Sequence, residues 1–117
     1  MKIYNVTRNT TIANRAIAAD RFFTRLRGLL HRKSLGAGEA LIISHCQSIH
    51  MFFMRFSIDA IFVDEKCEVV ALVRKIKPFQ MSPIFWKASF AVELPAGVIE
   101  ASKTQAGDLI KIEDRLD

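Results

Sequence analysis

The chain has 117 residues, half of them hydrophobic and a quarter charged, with a formal net charge of +5 at pH 7. That is the length of one domain, too short for two good cores, and the composition excludes disordered and collagen-like classes. Apolar runs are only a few residues long, so no membrane span is expected, while the charge favours acidic partners: nucleic acid, an anionic membrane surface or an acidic protein.

MKIYNV at the start predicts an edge strand. The surrounding stretch, MKIYNVTRNTTIANR, has no apolar core and no small-residue cleavage site, so it is not read as a signal peptide. TIANRAIAA, residues 11–19, lacks a clean period and is read as strand. DRFFTRLRGLLHRKS predicts the main helix, over about 20–32: Asp20 is a good N-cap, and Phe22, Phe23, Leu26, Leu29 and Leu30 fall in one apolar arc. Arg21, Arg25, Gly28 and Arg32 take the opposite side.

Strands dominate the remainder. EALIIS, MFFMRF, SIDAIFVD, VVALVRKI, SFAVEL and LIKIE all read as strands, with DEKCE as a hairpin turn, PAG and AGD as turns, and VIEASKT as a short helical turn. The expected fold is α+β: a compact, mostly antiparallel β barrel or sandwich with the one main helix packed on it, a single domain over 1–117. The two cysteines, Cys46 and Cys67, do not make a disulfide framework, which suits a reducing, cytoplasmic location.

The segment CQSIHMFFMRFSID, residues 46–59, concentrates unusual chemistry. Cys46 and His50 have a C-x3-H spacing that suits zinc, or a thiol nucleophile with its base. A closed zinc site needs four ligands, and no second pair has that spacing, so the segment reads first as a core strand with a polar anchor. Methionine beside phenylalanine is usual core filler. No cofactor is expected.

That anchor is Asp59, in FSIDAIFV. A buried carboxylate must be paired or multiply hydrogen-bonded. Expected donors are backbone N–H groups of the Ser-Ile-His turn, Arg25, Arg27 or His50. Glu93, just before Pro-Ala-Gly, reads either as a solvated side chain or as a second pocket carboxylate.

RKIKPFQMSPIFWK, residues 74–87, interleaves cations with aromatic rings. Arg74, Lys75, Lys77 and Lys87 could follow phosphates while Phe79 and Trp86 stack on bases, as single-stranded nucleic acid requires. The alternative is a proline-braced loop whose aromatics cover an open end of the fold.

Four ordered motifs carry a family resemblance: RLRGLLHR (25–32), IHMFFMRFSIDAIFVD (49–64), VELPAG (92–97) and AGD (106–108). Together they resemble the domain of unknown function 192 family, also called uncharacterised protein family 0127, over residues 20–113. The resemblance implies a small β-rich prokaryotic protein without an established activity. It carries Arg27, Gly28, His50, Met54, Asp59, Glu93, Pro95, Gly97, Gly107 and Asp108 over as family positions.

Three functions follow as expectations. The first is a ligand- or partner-binding domain without chemistry of its own, with Arg27, His50, Met54, Asp59 and Glu93 in a pocket. The second is a nucleic-acid-binding protein using Arg74, Lys75, Lys77, Phe79, Trp86 and Lys87. The third is a metal or thiol protein using Cys46 and His50. Without a Gly-rich phosphate loop or a Gly-x-Ser-x-Gly elbow, nucleotide hydrolysis and serine esterase chemistry have no support.

Overall fold

The computed structural model describes residues 1–18, 35–51 and 55–114. Eight strands and one short helix occur among them. In chain order they are β1 (Lys2–Asn5), β2 (Thr10–Ala13), β3 (Arg15–Ala18), β4 (Glu39–Ser44), β5 (Ile58–Val63), β6 (Val69–Ile76), β7 (Phe90–Pro95), α1 (Val98–Ala101) and β8 (Ile110–Glu113). They form a three-stranded sheet, β2-β1-β8, and a five-stranded sheet, β3-β4-β7-β5-β6. Only β3 and β4 pair in parallel. The protein is therefore mostly β, as expected, but neither sheet closes into a barrel. The expected main helix over 20–32 lies outside the described residues.

Alternation explains the layers. β5 reads as a continuous apolar run broken only by Asp59, and all six of its residues are buried. Such a strand needs cover on both faces. Ile61 and Val63 point to a cluster with Val92, Leu94 and Ile42 of the large sheet, Ile3, Ile12 and Ile110 of the small sheet, and Ile99 of α1. Ile58, Ala60 and Phe62 point the other way, to Ile43, Ala91, Ile49 and Met51.

Two expectations change here. TIANRAIAA is not one strand. It breaks at Asn14, and its halves belong to different sheets. The backbone N–H groups of Asn14 and Arg15 both donate to the Gly38 carbonyl, at 3.0 and 2.9 Å, which holds the corner. A side chain at Gly38 would collide with Asn14, and its φ of 79° already favours glycine. MFFMRF is the second. Residues 52–54 lie outside the described set, and Arg55 and Phe56 form a bend rather than a strand.

The residues before that bend run extended without forming a regular strand. Residues 47–51 lie antiparallel to 79–85: Phe79 N–H to Met51 O and Met51 N–H to Gln80 O are each 2.7 Å, Ser82 N–H to Ile49 O is 2.9 Å, and Phe85 N–H to Gln47 O is 2.8 Å. The segment 74–87 is thus an ordered ribbon. Phe85 fastens it to the core, its ring centroid 4.7 Å from that of Phe62. Ser82 fastens it to its neighbour, accepting the buried Ile49 N–H at 2.9 Å. Ser82→Ala leaves that donor unsatisfied and should cost about 1–2 kcal/mol. Urea unfolding measures this as a lower midpoint at unchanged slope.

Candidate ligand site at the Asp59 corner

The site begins with a bulge. Opposite Ile58 and Ala60 of β5 stand Ile76 and Val73, so β6 carries one extra residue there. Lys75 in this bulge has φ of 51°, and its N–H leaves the ladder. Asp59 receives it: Lys75 N–H donates to Oδ1 at 2.8 Å. Oδ2 accepts two more, from Gly97 at 3.0 Å and Ile99 at 2.9 Å. Gly97 caps α1 in the left-handed region and has no side chain to offer. A carboxylate from β5 therefore supplies the cap that the helix's own N-cap residue cannot.

Among the described residues, the donors to Asp59 are thus neither the Ser-Ile-His turn nor His50; Arg25 and Arg27 lie outside the described residues. The described donors are three backbone groups from β6 and α1. Asp59 is buried, with both oxygens committed, so it holds a bulge and a helix start together.

Beside it lies a second polar network. Asn5, fully buried in β1, donates its two amide hydrogens to Thr104 Oγ1 at 3.1 Å and Asp108 Oδ2 at 2.9 Å. Its Oδ1 accepts the Arg8 backbone N–H at 3.0 Å. Asp108 Oδ2 also accepts Arg8 Nε at 3.0 Å and the Gln105 N–H at 2.9 Å. Burial on its own raises the Asp108 pKa. The hydrogen bonds from Arg8, Asn5 and Gln105, with the Arg8 charge, outweigh it and hold the carboxyl below its ordinary value. Arg8 Nη2 continues to Gln105 Oε1 at 2.9 Å.

These two networks floor a recess of about 310 Å³ lined by Arg8, Arg74, Ile99, Glu100, Lys103, Thr104 and Gln105. Its cations come from three places: Arg8 from the β1–β2 turn, Arg74 from the bulged end of β6, and Lys103 from the turn after α1. Lys103 has φ of 59°, a conformation that costs a non-glycine residue about 1 kcal/mol. Glu100 is the one acidic side chain among the described lining. A larger hollow of about 610 Å³ lies between Ile42, Ser44, His45, Gln47, Ala88, Ser89, Phe90 and Ile112. Its described lining offers only His45 as an ionisable group, so the smaller, charged recess is the better candidate.

Among the described residues, those singled out from sequence do not all line one recess. In the register of β5 and β7, Ala60 stands opposite Glu93 and Asp59 opposite Leu94. Cross-strand partners share a face, so Asp59 and Glu93 point to opposite sides of the sheet. Glu93 is buried rather than solvated, on the face of Phe62 and Ala91. His50 pairs with Met81 at the edge of the ribbon. Arg27 and Met54 lie outside the described residues. Arg74 joins Arg8 and Lys103, whereas Trp86 and Lys87 border a separate apolar notch with Val70, Ile84 and Phe85.

Cys46 is buried in the cluster of Phe62, where its Sγ donates to Ser48 O at 3.2 Å. Cys67 packs on the opposite cluster. No group of three or more His, Cys, Asp or Glu able to hold a metal occurs among the described residues. Arg8, Lys103, Asn5 and Thr104 were not singled out from sequence. Arg8 sits in an ordinary polar turn, VTRNT, and the others are single polar residues whose company is set by contacts across almost the whole chain.

Fold and corner together define a mostly β protein whose two open sheets meet at a carboxylate-pinned turn. The chain belongs to the DUF192 family, described as "Uncharacterized ACR", which matches over residues 4–112. It is 35% identical over 115 residues to a UPF0127 protein of Thermococcus sibiricus, covering 95% of this chain and 74% of that one. It is 34% identical over 112 residues to a UPF0127 protein of Pyrococcus horikoshii, covering 93% and 96%. Among solved structures it resembles a protein of unknown function from Novosphingobium aromaticivorans, with a TM-score of 0.78 at 18% identity, covering 95% and 82% of the two chains. That last likeness is one of fold. No helix among the described residues is long and apolar enough to cross a membrane.

Proposed function

We infer that the protein is a binding domain for a small anionic ligand, phosphate- or carboxylate-bearing, held in the recess of Arg8, Arg74 and Lys103. The observation that carries this reading is the convergence of three cations from three separate elements on one recess with a single acidic side chain in its described lining. Arg8 is already oriented by Asp108 and Gln105, so its remaining N–H groups lose little freedom on meeting an anion. The neighbouring carboxylates support binding rather than proton transfer. Asp59 is occupied by three N–H groups, and Asp108 by Asn5, Arg8 and Gln105. The protein acts as one domain over 1–117. Two thiols on opposite faces of the large sheet suit a reducing cytoplasm.

Isothermal titration with inorganic pyrophosphate tests the reading. Binding should weaken with salt. Arg74→Ala and Lys103→Ala should each lower affinity about ten-fold, as expected for one charged hydrogen bond of about 1.5 kcal/mol. Absence of heat, together with unmoved amide resonances at Arg8, Arg74 and Lys103, would sink it.

A further inference from the structure

The ribbon of residues 77–87 takes no part in the described lining of the recess, yet it carries most of the exposed large apolar side chains among the described residues. Seven large hydrophobic residues are exposed among those described, and Phe79, Met81, Ile84 and Trp86 are four of them. Trp86 is 75% exposed, Met81 63% and Ile84 52%. Singly scattered apolar side chains need no explanation, but a run of them within eight residues does. The ribbon is also anchored: Phe85 packs on Phe62, Ser82 holds Ile49, and Gln47 Nε2 donates to Trp86 O at 2.8 Å. Rigid backbone thus holds these side chains out in water.

Charge on this surface has one sign. Residues 77–92 contain Lys77 and Lys87 and no Asp or Glu, and residues 40–51, which include its paired segment, contain no Asp or Glu either. An anionic partner is favoured wherever it approaches. Between anionic partners, the apolar side chains decide. Bases stack on aromatic rings, but Met81 and Ile84 are aliphatic and have no such use for a base. Methionine, isoleucine and tryptophan standing clear of the surface beside lysines match the boundary between lipid headgroups and acyl chains.

We propose that the 77–87 ribbon docks the protein on an anionic lipid surface, Met81, Ile84 and Trp86 entering the headgroup boundary while Lys77 and Lys87 meet the anionic headgroups. The notch of about 340 Å³ between Val70, Ile84, Phe85, Trp86 and Lys87 gives an acyl segment room beside the tryptophan. This docking is peripheral and separate from the anion recess.

Trp86 is the chain's only tryptophan, so its fluorescence reports directly on the surface. The full chain is titrated with large phosphatidylcholine vesicles, with and without phosphatidylglycerol. A blue shift and intensity gain with the anionic vesicles, quenched by lipids brominated on the acyl chain, are expected. Sedimentation of Lys77→Glu/Lys87→Glu with the same vesicles should show partitioning reduced more than ten-fold, since each lysine near an anionic surface contributes about five-fold. Met81→Ser/Ile84→Ser changes only exposed side chains, keeps Trp86 as the reporter, and should abolish the blue shift. An unchanged Trp86 spectrum with anionic vesicles overturns the proposal. So does undiminished binding by the lysine variant. Quenching by single-stranded oligonucleotide without any vesicle response would transfer the surface to nucleic acid.

Discussion

Asp59→Ala is expected to destabilise the protein by about 3–5 kcal/mol, enough to unfold many domains of this size. The substitution removes both acceptors of three N–H groups at once, those of Lys75, Gly97 and Ile99. None has an obvious substitute. The Lys75 N–H has left the ladder at the bulge, and the other two are orphan donors at the start of a helix capped by glycine. The Ile99 N–H is fully buried, so water cannot replace the carboxylate without opening the core. The damage should also be directed. Hydrogen exchange at Gly97 and Ile99 should accelerate by more than the global loss of stability explains, because α1 loses its cap first. Normal unfolding and unchanged exchange in the variant would show that the clamp contributes nothing. Asp59→Asn should be little better, since its NH₂ group must face one of the donors.

Asp108→Ala should cost about 2–3 kcal/mol, because it removes a buried acceptor shared by several donors, one of them the exposed Arg8. Asn5, Arg8 and the Gln105 N–H all lose the same oxygen. Asp108→Asn is the milder and more informative variant, since it removes charge while keeping shape. Its pH dependence has a definite sign. The Asp108 pKa is lowered in the folded state, from an ordinary 3.8. Its contribution is therefore fully present at pH 7. It is lost as pH falls below 3.8 towards the folded-state value, because the unfolded chain takes up its proton first. Wild type should exceed Asp108→Asn in stability at neutral pH, and the difference should close in that acid window. A difference independent of pH would mean that the charge on Asp108 is not what holds the corner. Either substitution also unties Arg8, so pyrophosphate affinity should fall even in variants that remain folded.

The two networks share a consequence for the candidate site. Among the described lining, Arg74 alone lies in a long strand, and there at its bulged end. Arg8, Arg74 and Lys103 sit on a turn, a bulge and a left-handed residue, which regular structure alone would leave mobile. Buried Asn5, Asp59 and Asp108 give those irregular pieces a fixed geometry. Binding groups on loops become precise only when such a supporting layer exists.

Much of the strand inventory was legible in the sequence. EALIIS, VVALVRKI and SIDAIFVD become β4, β6 and β5 almost without adjustment, because apolar and β-branched runs bounded by Gly, Asp and Lys turns leave few alternatives over such short lengths. The short helical turn at VIEA was equally readable, following Pro-Ala-Gly. TIANRAIAA was half readable: both pieces are strands, but nothing local to Asn14 says that the chain changes sheets there. That change depends on the Gly38 carbonyl, more than twenty residues away.

Composition and alternation by themselves determined that this chain is mostly β, that Asp59 must find donors inside the protein, and that residues 74–87 interleave cations with aromatic rings. These are consequences of period, hydrophobicity and desolvation, and each is visible within a few neighbouring residues. Which donors Asp59 finds, and which cations share a recess, were decided by the tertiary structure alone. The bonds from Asp59 span 16 to 40 residues, and those joining Asn5 and Arg8 to the corner span about a hundred. The register of β5 against β7 then turns Asp59 and Glu93 to opposite faces, a choice that one residue of slip would reverse.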